Sequence, residues 1–205
     1  MRLYYSHNLN PRVAVAVARH LDSPLDFIRA SPFRPDQIES FRKMNPNTRV
    51  PVLVEGEKSL WETDAIACRL SEISGSDFWR RDAEMPEMVR WISWGTHHLT
   101  RAADPLYFER VVRPLYMKGS IPKDPKELEE PLQEFRQFAA ILDAYLKDKE
   151  WLLESGLSYA DFRAATSLPF AAQAGLPAQD FPNVQRWHGQ LLRLPAWREP
   201  FEGLA

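Results

Sequence analysis

The first third of the chain alternates short apolar runs with polar turns. Aromatic and aliphatic runs typical of strands occupy residues 2–5, 25–29, 50–54 and 59–61. Residues 12–21 and 35–44 are predicted helices, and Asn10 and Pro11 stand where an N-cap and a first-turn proline would open the earlier one. A further helix is predicted after Trp61. A βαβ unit followed by a ββα unit makes a compact α/β half.

The pattern changes after Ser74-Gly75-Ser76, where helical periodicity takes over. Apolar residues then recur at spacings of three and four, as they do on the buried face of an amphipathic helix. The two clearest stripes are Met88, Trp91, Ile92, Gly95 and Leu99, and Leu128, Leu132, Phe135, Ala139, Leu142 and Leu146. We therefore predict an α/β domain over residues 1–76 and an all-helical bundle domain over residues 85–205.

The composition indicates a protein that folds by itself and does not bind nucleic acid. Of 205 residues, 44% are hydrophobic, and 26 basic against 28 acidic side chains leave a net charge of −2. That balance, with no basic run, argues against a phosphate-backbone partner. The apolar run 13–18 is far shorter than the roughly 20 residues that span a bilayer, so no membrane segment and a cytoplasmic location are expected. The single Cys68 excludes an internal disulfide.

The segment Asn45-Pro46-Asn47-Thr48-Arg49-Val50-Pro51-Val52-Leu53 carries the first candidate site. Proline cannot donate to a sheet ladder, so Pro51 belongs at the edge or the first position of its strand, and a tight turn there makes the cis isomer a candidate. The backbone of Val50 would then be free to pair with a peptide-like ligand. An ordinary turn proline explains the same residues.

A second candidate site lies at Glu62-Thr63, between a strand and a helix. The Thr63 hydroxyl and the first N–H groups of that helix would meet at a point that attracts a carboxylate. Glu62 would receive the ammonium group of the same amino acid. Thr63 as a plain helix cap is the simpler explanation.

These segments together resemble the glutathione transferase family. The matching residues are Asn45-Pro46, Val50-Pro51-Val52-Leu53 and Glu62-Thr63-Asp64-Ala65-Ile66, with Leu157-Ser158-Tyr159-Ala160-Asp161 similar to the family's buried capping box. The resemblance covers nearly the whole chain. It implies a thioredoxin-like domain followed by a helical bundle domain, glutathione as co-substrate and a two-fold homodimer.

The resemblance also implies residue roles. Val50, beside Pro51, would pair with the cysteinyl part of glutathione, and Glu62 and Thr63 would hold its γ-glutamyl end. Arg49 would meet the glycine carboxylate, for which its guanidinium fork is chemically apt, although a solvated turn arginine is the alternative.

The loop after the first strand departs from the usual family pattern, in which Tyr, Ser or Cys activates the thiol. This loop offers Asn8, Asn10 and Ser6, in that order of preference, and both asparagines also fit ordinary turn and cap chemistry. His7 is expected to point to solvent. No metal site is expected at His97-His98, because neighbouring helix residues do not face one ligand.

The function expected is glutathione conjugation or reduction of small hydrophobic electrophiles, whose pocket would draw on Trp94, His97, His98, Arg101 and Tyr107. A relative that reduces glutathione disulfide or peroxides, and a non-catalytic adaptor of the same fold, remain alternatives.

Overall fold

A computed structural model describes residues 1–32, 34–117 and 119–204. The chain forms two compact units: an N-terminal unit of residues 1–81 with 193–205, and a helical unit of residues 82–192. The final segment thus packs with the N-terminal unit. The domain boundaries proposed from the sequence, 1–76 and 85–205, stay a prediction. None of the described helices is both long and apolar enough to cross a membrane.

The N-terminal unit has the element order predicted from the sequence. Its elements are β1 (Arg2–Tyr5), α1 (Leu9–His20), β2 (Asp26–Arg29), α2 (Ile38–Met44), β3 (Val52–Glu55), β4 (Lys58–Trp61) and α3 (Thr63–Ile73), and the final segment adds a short helix, Pro195–Arg198. The sheet order is β2-β1-β3-β4, with β1 parallel to β2 and antiparallel to β3. This is the thioredoxin-like arrangement that the family resemblance implied.

The apolar run of α1 explains why this helix lies at the centre of the unit. Every residue from Val13 to Ala18 is fully buried. Such a helix is apolar all round and must be covered on more than one side. The sheet and α3 contact it, and so does the final segment, whose Trp197 is also fully buried.

The helical unit begins with a nearly continuous helical stretch, described as α4 (Met85–Trp94), α5 (Arg101–Tyr107) and α6 (Arg113–Tyr116) with π-helical turns at Gly95–Thr100 and Phe108–Val112. Then follow α7 (Glu129–Tyr145), α8 (Tyr159–Ala164), α9 (Ala171–Ala174) and α10 (Pro182–Leu191). Of the predicted stripes, Met88, Leu99, Phe135 and Leu142 are fully buried. A Cβ on Gly95 would come within 2.8 Å of the Ala164 backbone, so this glycine permits the close approach of α4 and α8.

The predicted capping box is present at the start of α8. One oxygen of the buried Asp161 accepts from the backbone N–H of Ser158 at 2.9 Å. The other accepts from the Leu152 N–H at 3.0 Å and from Trp187 Nε1 at 2.9 Å. Burial outweighs these hydrogen bonds and raises the pKa of Asp161 to about 6. This single carboxyl group therefore joins α8, the loop before it and α10.

Candidate functional site

The register of the sheet brings the predicted site segments to one end of the N-terminal unit. Val52 pairs with Tyr4 on one side and with Trp61 on the other. The end of β1, the start of β3 and the end of β4 therefore lie together. The β1–α1 loop (residues 6–8), the Val50–Pro51 turn and the start of α3 all leave the sheet there.

The turn before β3 is held by Asn45, a residue that is only 3% exposed. Its Nδ2 donates to the carbonyl of Arg49 at 2.9 Å, and its Oδ1 accepts from the N–H of Asn47 at 3.0 Å. The Val50–Pro51 peptide bond is cis, the isomer considered from the sequence. Val50 precedes the first residue of β3, so its backbone lies outside the strand ladder, and Arg49 is exposed.

The start of α3 has an unusual backbone. Glu62 is the N-cap and has φ 74° and ψ 128°, a conformation that residues other than glycine rarely adopt. Such a residue costs about 1–3 kcal/mol, and strain of this kind clusters at functional sites. The side chain of Glu62 is exposed and makes no capping hydrogen bond.

Thr63 is the first helical residue of α3, so its alternative interpretation as a helix cap is wrong. It is 3% exposed, and its hydroxyl donates to the carbonyl of Asn10 at 3.3 Å. The hydrogen bond joins the first turn of α3 to the first turn of α1. Both residues were predicted in the site, but no local pattern predicts this contact between them.

The first helix begins earlier than predicted, at Leu9, and its N-cap is Asn8. Asn10 is therefore a helical residue and not the cap, which corrects the prediction. Asn8 is exposed, and its side chain does not cap α1. The Asn8 carbonyl accepts from the N–H of Arg12 at 2.9 Å, and the first turn carries no acidic side chain.

The remaining loop residues point inward. Ser6 Oγ and His7 Nε2 are buried atoms without a hydrogen-bond partner in the described part of the chain. The expectation that His7 faces solvent is wrong: its ring stacks on Phe201 with centroids 4.3 Å apart. Burial and nearby Arg29 lower the pKa of His7, which favours its neutral imidazole.

The arrangement favours negative charge at two neighbouring points. The N-termini of α1 and α3 each present backbone N–H groups and the positive end of a helix dipole. A carboxylate at the start of α3 and a thiolate at the start of α1 would both be stabilised. The exposed Glu62 beside the first point is suited to an ammonium group.

The residues predicted to line an electrophile pocket lie in the helical unit. His97, His98 and Arg101 are exposed, and Arg101 is paired with Glu134 at 2.8 Å. Trp94 is half-buried. Tyr107 is 5% exposed and packs against Phe170, and burial raises its pKa to about 12.

Family comparison covers both units. Residues 2–70 match the family model described as the N-terminal domain of glutathione S-transferase, and residues 105–195 match its C-terminal domain. The chain is 28% identical over 207 residues to the probable glutathione S-transferase GSTF2 of Oryza sativa subsp. japonica, covering 96% of this chain and 93% of that protein. It is 27% identical over 199 residues to the glutathione S-transferase GstB of Escherichia coli strain K12, covering 95% and 93%.

The fold is shared with solved structures. Glutathione S-transferase I from maize, in complex with an atrazine glutathione conjugate, superposes with a TM-score of 0.86 at 21% identity. The match covers 97% of this chain and 95% of that one.

Proposed function

The chain belongs to the glutathione S-transferase family, and on that premise we propose that it attacks small electrophiles with the thiolate of glutathione bound at this end of the sheet. The observation that carries the proposal is the hydrogen bond between Thr63 and Asn10. It holds two helix N-termini side by side, one for a carboxylate and one for a thiolate. The maize protein was solved with a glutathione conjugate, which supports the same class of ligand.

Glutathione binding at this site assigns a role to each turn. The γ-glutamyl carboxylate accepts from the first N–H groups of α3, and Glu62 meets its ammonium group. The strained backbone of Glu62 supports this role, because such strain clusters at functional sites, and the exposed side chain is not engaged in a capping hydrogen bond. Val50, next to Pro51, offers its backbone to the cysteinyl part, and exposed Arg49 pairs with the glycine carboxylate.

Thiol activation in this proposal rests on the start of α1. A free thiol has a pKa of about 8.5, so little of it is ionised at neutral pH. The helix end and an amide hydrogen bond both favour the charged sulfur. Asn8 is the first candidate donor because it is exposed at the N-cap, with Asn10 second; Ser6 is third because its hydroxyl oxygen is buried.

The proposed reaction needs no side chain that carries a proton away. An asparagine amide donates a hydrogen bond and takes up no proton, so the thiol proton passes to solvent. The sulfur then forms a bond to the electrophilic carbon with its own electron pair, and a leaving group departs with the pair of the broken bond. In an addition, the carbanion takes a proton from water.

Family membership is also the basis for proposing a cellular location, an oligomeric state and a biological role. We propose a cytoplasmic homodimer that acts in detoxification on hydrophobic electrophiles, supported by family membership. A reductase of glutathione disulfide or peroxides would also use the bound tripeptide. The adaptor alternative would not need the turns at Val50 and Glu62 that this chain retains.

Retention on immobilised glutathione tests binding, and conjugation of a chromogenic aryl halide tests transfer. Wild-type protein is expected to be retained and to form the thioether, and Thr63→Ala to be retained poorly. Thr96→Ala is the matched control, because Thr96 lies in the helical unit, where its hydroxyl donates to the Ile92 carbonyl, and this variant should bind normally. Failure of wild-type protein to bind would refute the proposal.

A further inference from the structure

The final segment of the chain is bound to the helix and loop that carry the proposed thiol-activating residues. Arg12 on α1 donates to the carbonyl of Trp197 and lies over its ring, 4.6 Å from the centroid. About two turns further along the helix, Arg19 donates to the carbonyl of Glu202. Both arginines leave the same helix and reach the same segment. The segment is therefore fixed along the length of α1.

Phe201 lies in the same final segment and contacts the β1–α1 loop. Its ring stacks on His7 at 4.3 Å and 24° and on Tyr5 at 5.6 Å and 16°. Tyr5 is the last residue of β1, and His7 is the middle residue of the loop. One aromatic ring thus spans the point where the chain leaves the sheet and turns into α1.

The stack is what holds the His7 side chain. His7 Nε2 makes no hydrogen bond within the described residues. Burial and nearby Arg29 lower the pKa of His7, which favours the neutral imidazole in this stack. Stacked aromatic rings contribute stability beyond the area they bury. Loss of the Phe201 ring would remove the aromatic contact on one side of His7, in the middle of the loop.

We propose that Phe201 is a positioning residue for the transferase reaction: its ring, stacked on His7, holds the β1–α1 loop where the Asn8 amide meets the glutathione sulfur. The inference rests on the proposed function. It extends the site to a residue near the opposite end of the sequence from His7. The role assigned to Phe201 involves neither the γ-glutamyl contacts at α3 nor the turn before Pro51, so it concerns the reactivity of the sulfur and not the hold on the tripeptide.

The test compares Phe201→Ala with Phe201→Tyr, which keeps the ring, and with Leu204→Ala, which removes an apolar side chain from the same segment. The ultraviolet absorbance of bound thiolate is titrated against pH, and the glutathione Kd is measured by calorimetry. Phe201→Ala is expected to raise the pKa of the bound thiol toward its free value and to lower kcat/KM roughly tenfold, since small misplacements of catalytic groups are costly. Measured below the pH at which the bound thiol ionises, its Kd should change little. Phe201→Tyr and Leu204→Ala should match wild type.

Hydrogen exchange gives a second readout that needs no ligand. The amides of residues 6–10 should exchange faster in Phe201→Ala than in wild type or Leu204→Ala, while those of β3 stay protected. If Phe201→Ala does not fold, Phe201→Leu retains apolar bulk without a ring and takes its place in both measurements.

The outcomes separate this inference from the function beneath it. A wild-type protein that binds no glutathione overturns the proposed function and this inference with it. A wild-type protein that binds glutathione and lowers its thiol pKa, with an unchanged pKa and unchanged loop exchange in Phe201→Ala, overturns the inference alone. Equal weakening of Kd and kcat/KM at an unchanged thiol pKa would also overturn it, since that result describes a binding residue.

Discussion

Replacement of Asp161 by alanine should be among the most destabilising changes in the helical unit. The carboxyl group is fully buried and accepts hydrogen bonds from the Leu152 N–H, the Ser158 N–H and Trp187 Nε1. Alanine would leave these three donors without their acceptor. Each buried group left unpaired costs about 1–3 kcal/mol, so the loss should be at least about 3 kcal/mol. Domains are stable by only about 5–15 kcal/mol in total.

Asp161→Asn refines this expectation because the two carboxyl oxygens have separate partners. One oxygen serves Leu152 and Trp187, and the other serves Ser158. An asparagine that keeps the first oxygen loses only the contacts to Ser158. Its free energy of unfolding should therefore lie between those of wild type and Asp161→Ala.

Urea unfolding followed by circular dichroism measures the effect, with Asp148→Ala as the matched control. Asp148 is exposed, so this change should stay within about 0.5 kcal/mol of wild type. A loss below about 1 kcal/mol for Asp161→Ala would contradict the expected cost, because buried donors would then be unpaired at almost no penalty. Equal losses for Asp161→Ala and Asp161→Asn would rule out the division between the two oxygens.

Three further predictions concern pH and the site. Folding raises the pKa of Asp161 to about 6, so the folded state holds this proton more tightly than the unfolded state. The free energy of unfolding of wild type relative to Asp161→Asn, measured with urea, should therefore fall by about 1 kcal/mol from pH 5 to pH 7. A rise over this range would contradict the raised pKa. Thr63→Val should weaken glutathione binding in calorimetry more than Thr63→Ser, which keeps the hydroxyl that bonds to Asn10; equal affinities would show that the hydroxyl has no part. Asn8→Ala should raise the pKa of the bound thiol in absorbance titration more than Asn10→Ala, and unchanged values in both would remove the asparagines from activation.

The order of elements in the N-terminal unit could be predicted from the sequence because each depends on local patterns. The start of α1 could not. Pro11 lies at the third helical position and not the first, and its missing N–H is one of the unpaired groups in either place. The composition of the first turn therefore does not distinguish Asn8 from Asn10 as the cap.

The sequence was sufficient to predict which segments form the site, but not the contacts between their residues. The segments at Val50 and Glu62 were recognisable, and the cis bond before Pro51 is confirmed. The backbone of Glu62 was not predictable, because only tertiary structure holds such a residue at positive φ. The stack of Phe201 on His7 joins opposite ends of the chain, and no periodicity in either segment encodes it.

A crystal structure with the tripeptide bound would decide whether glutathione lies across the starts of α1 and α3. We expect the γ-glutamyl carboxylate on the first N–H groups of α3, the cysteinyl part against the backbone of Val50, and the sulfur within hydrogen-bond distance of Asn8 or Asn10. A tripeptide bound elsewhere, or bound here with its sulfur turned away from the start of α1, would overturn the proposed mode of binding and activation.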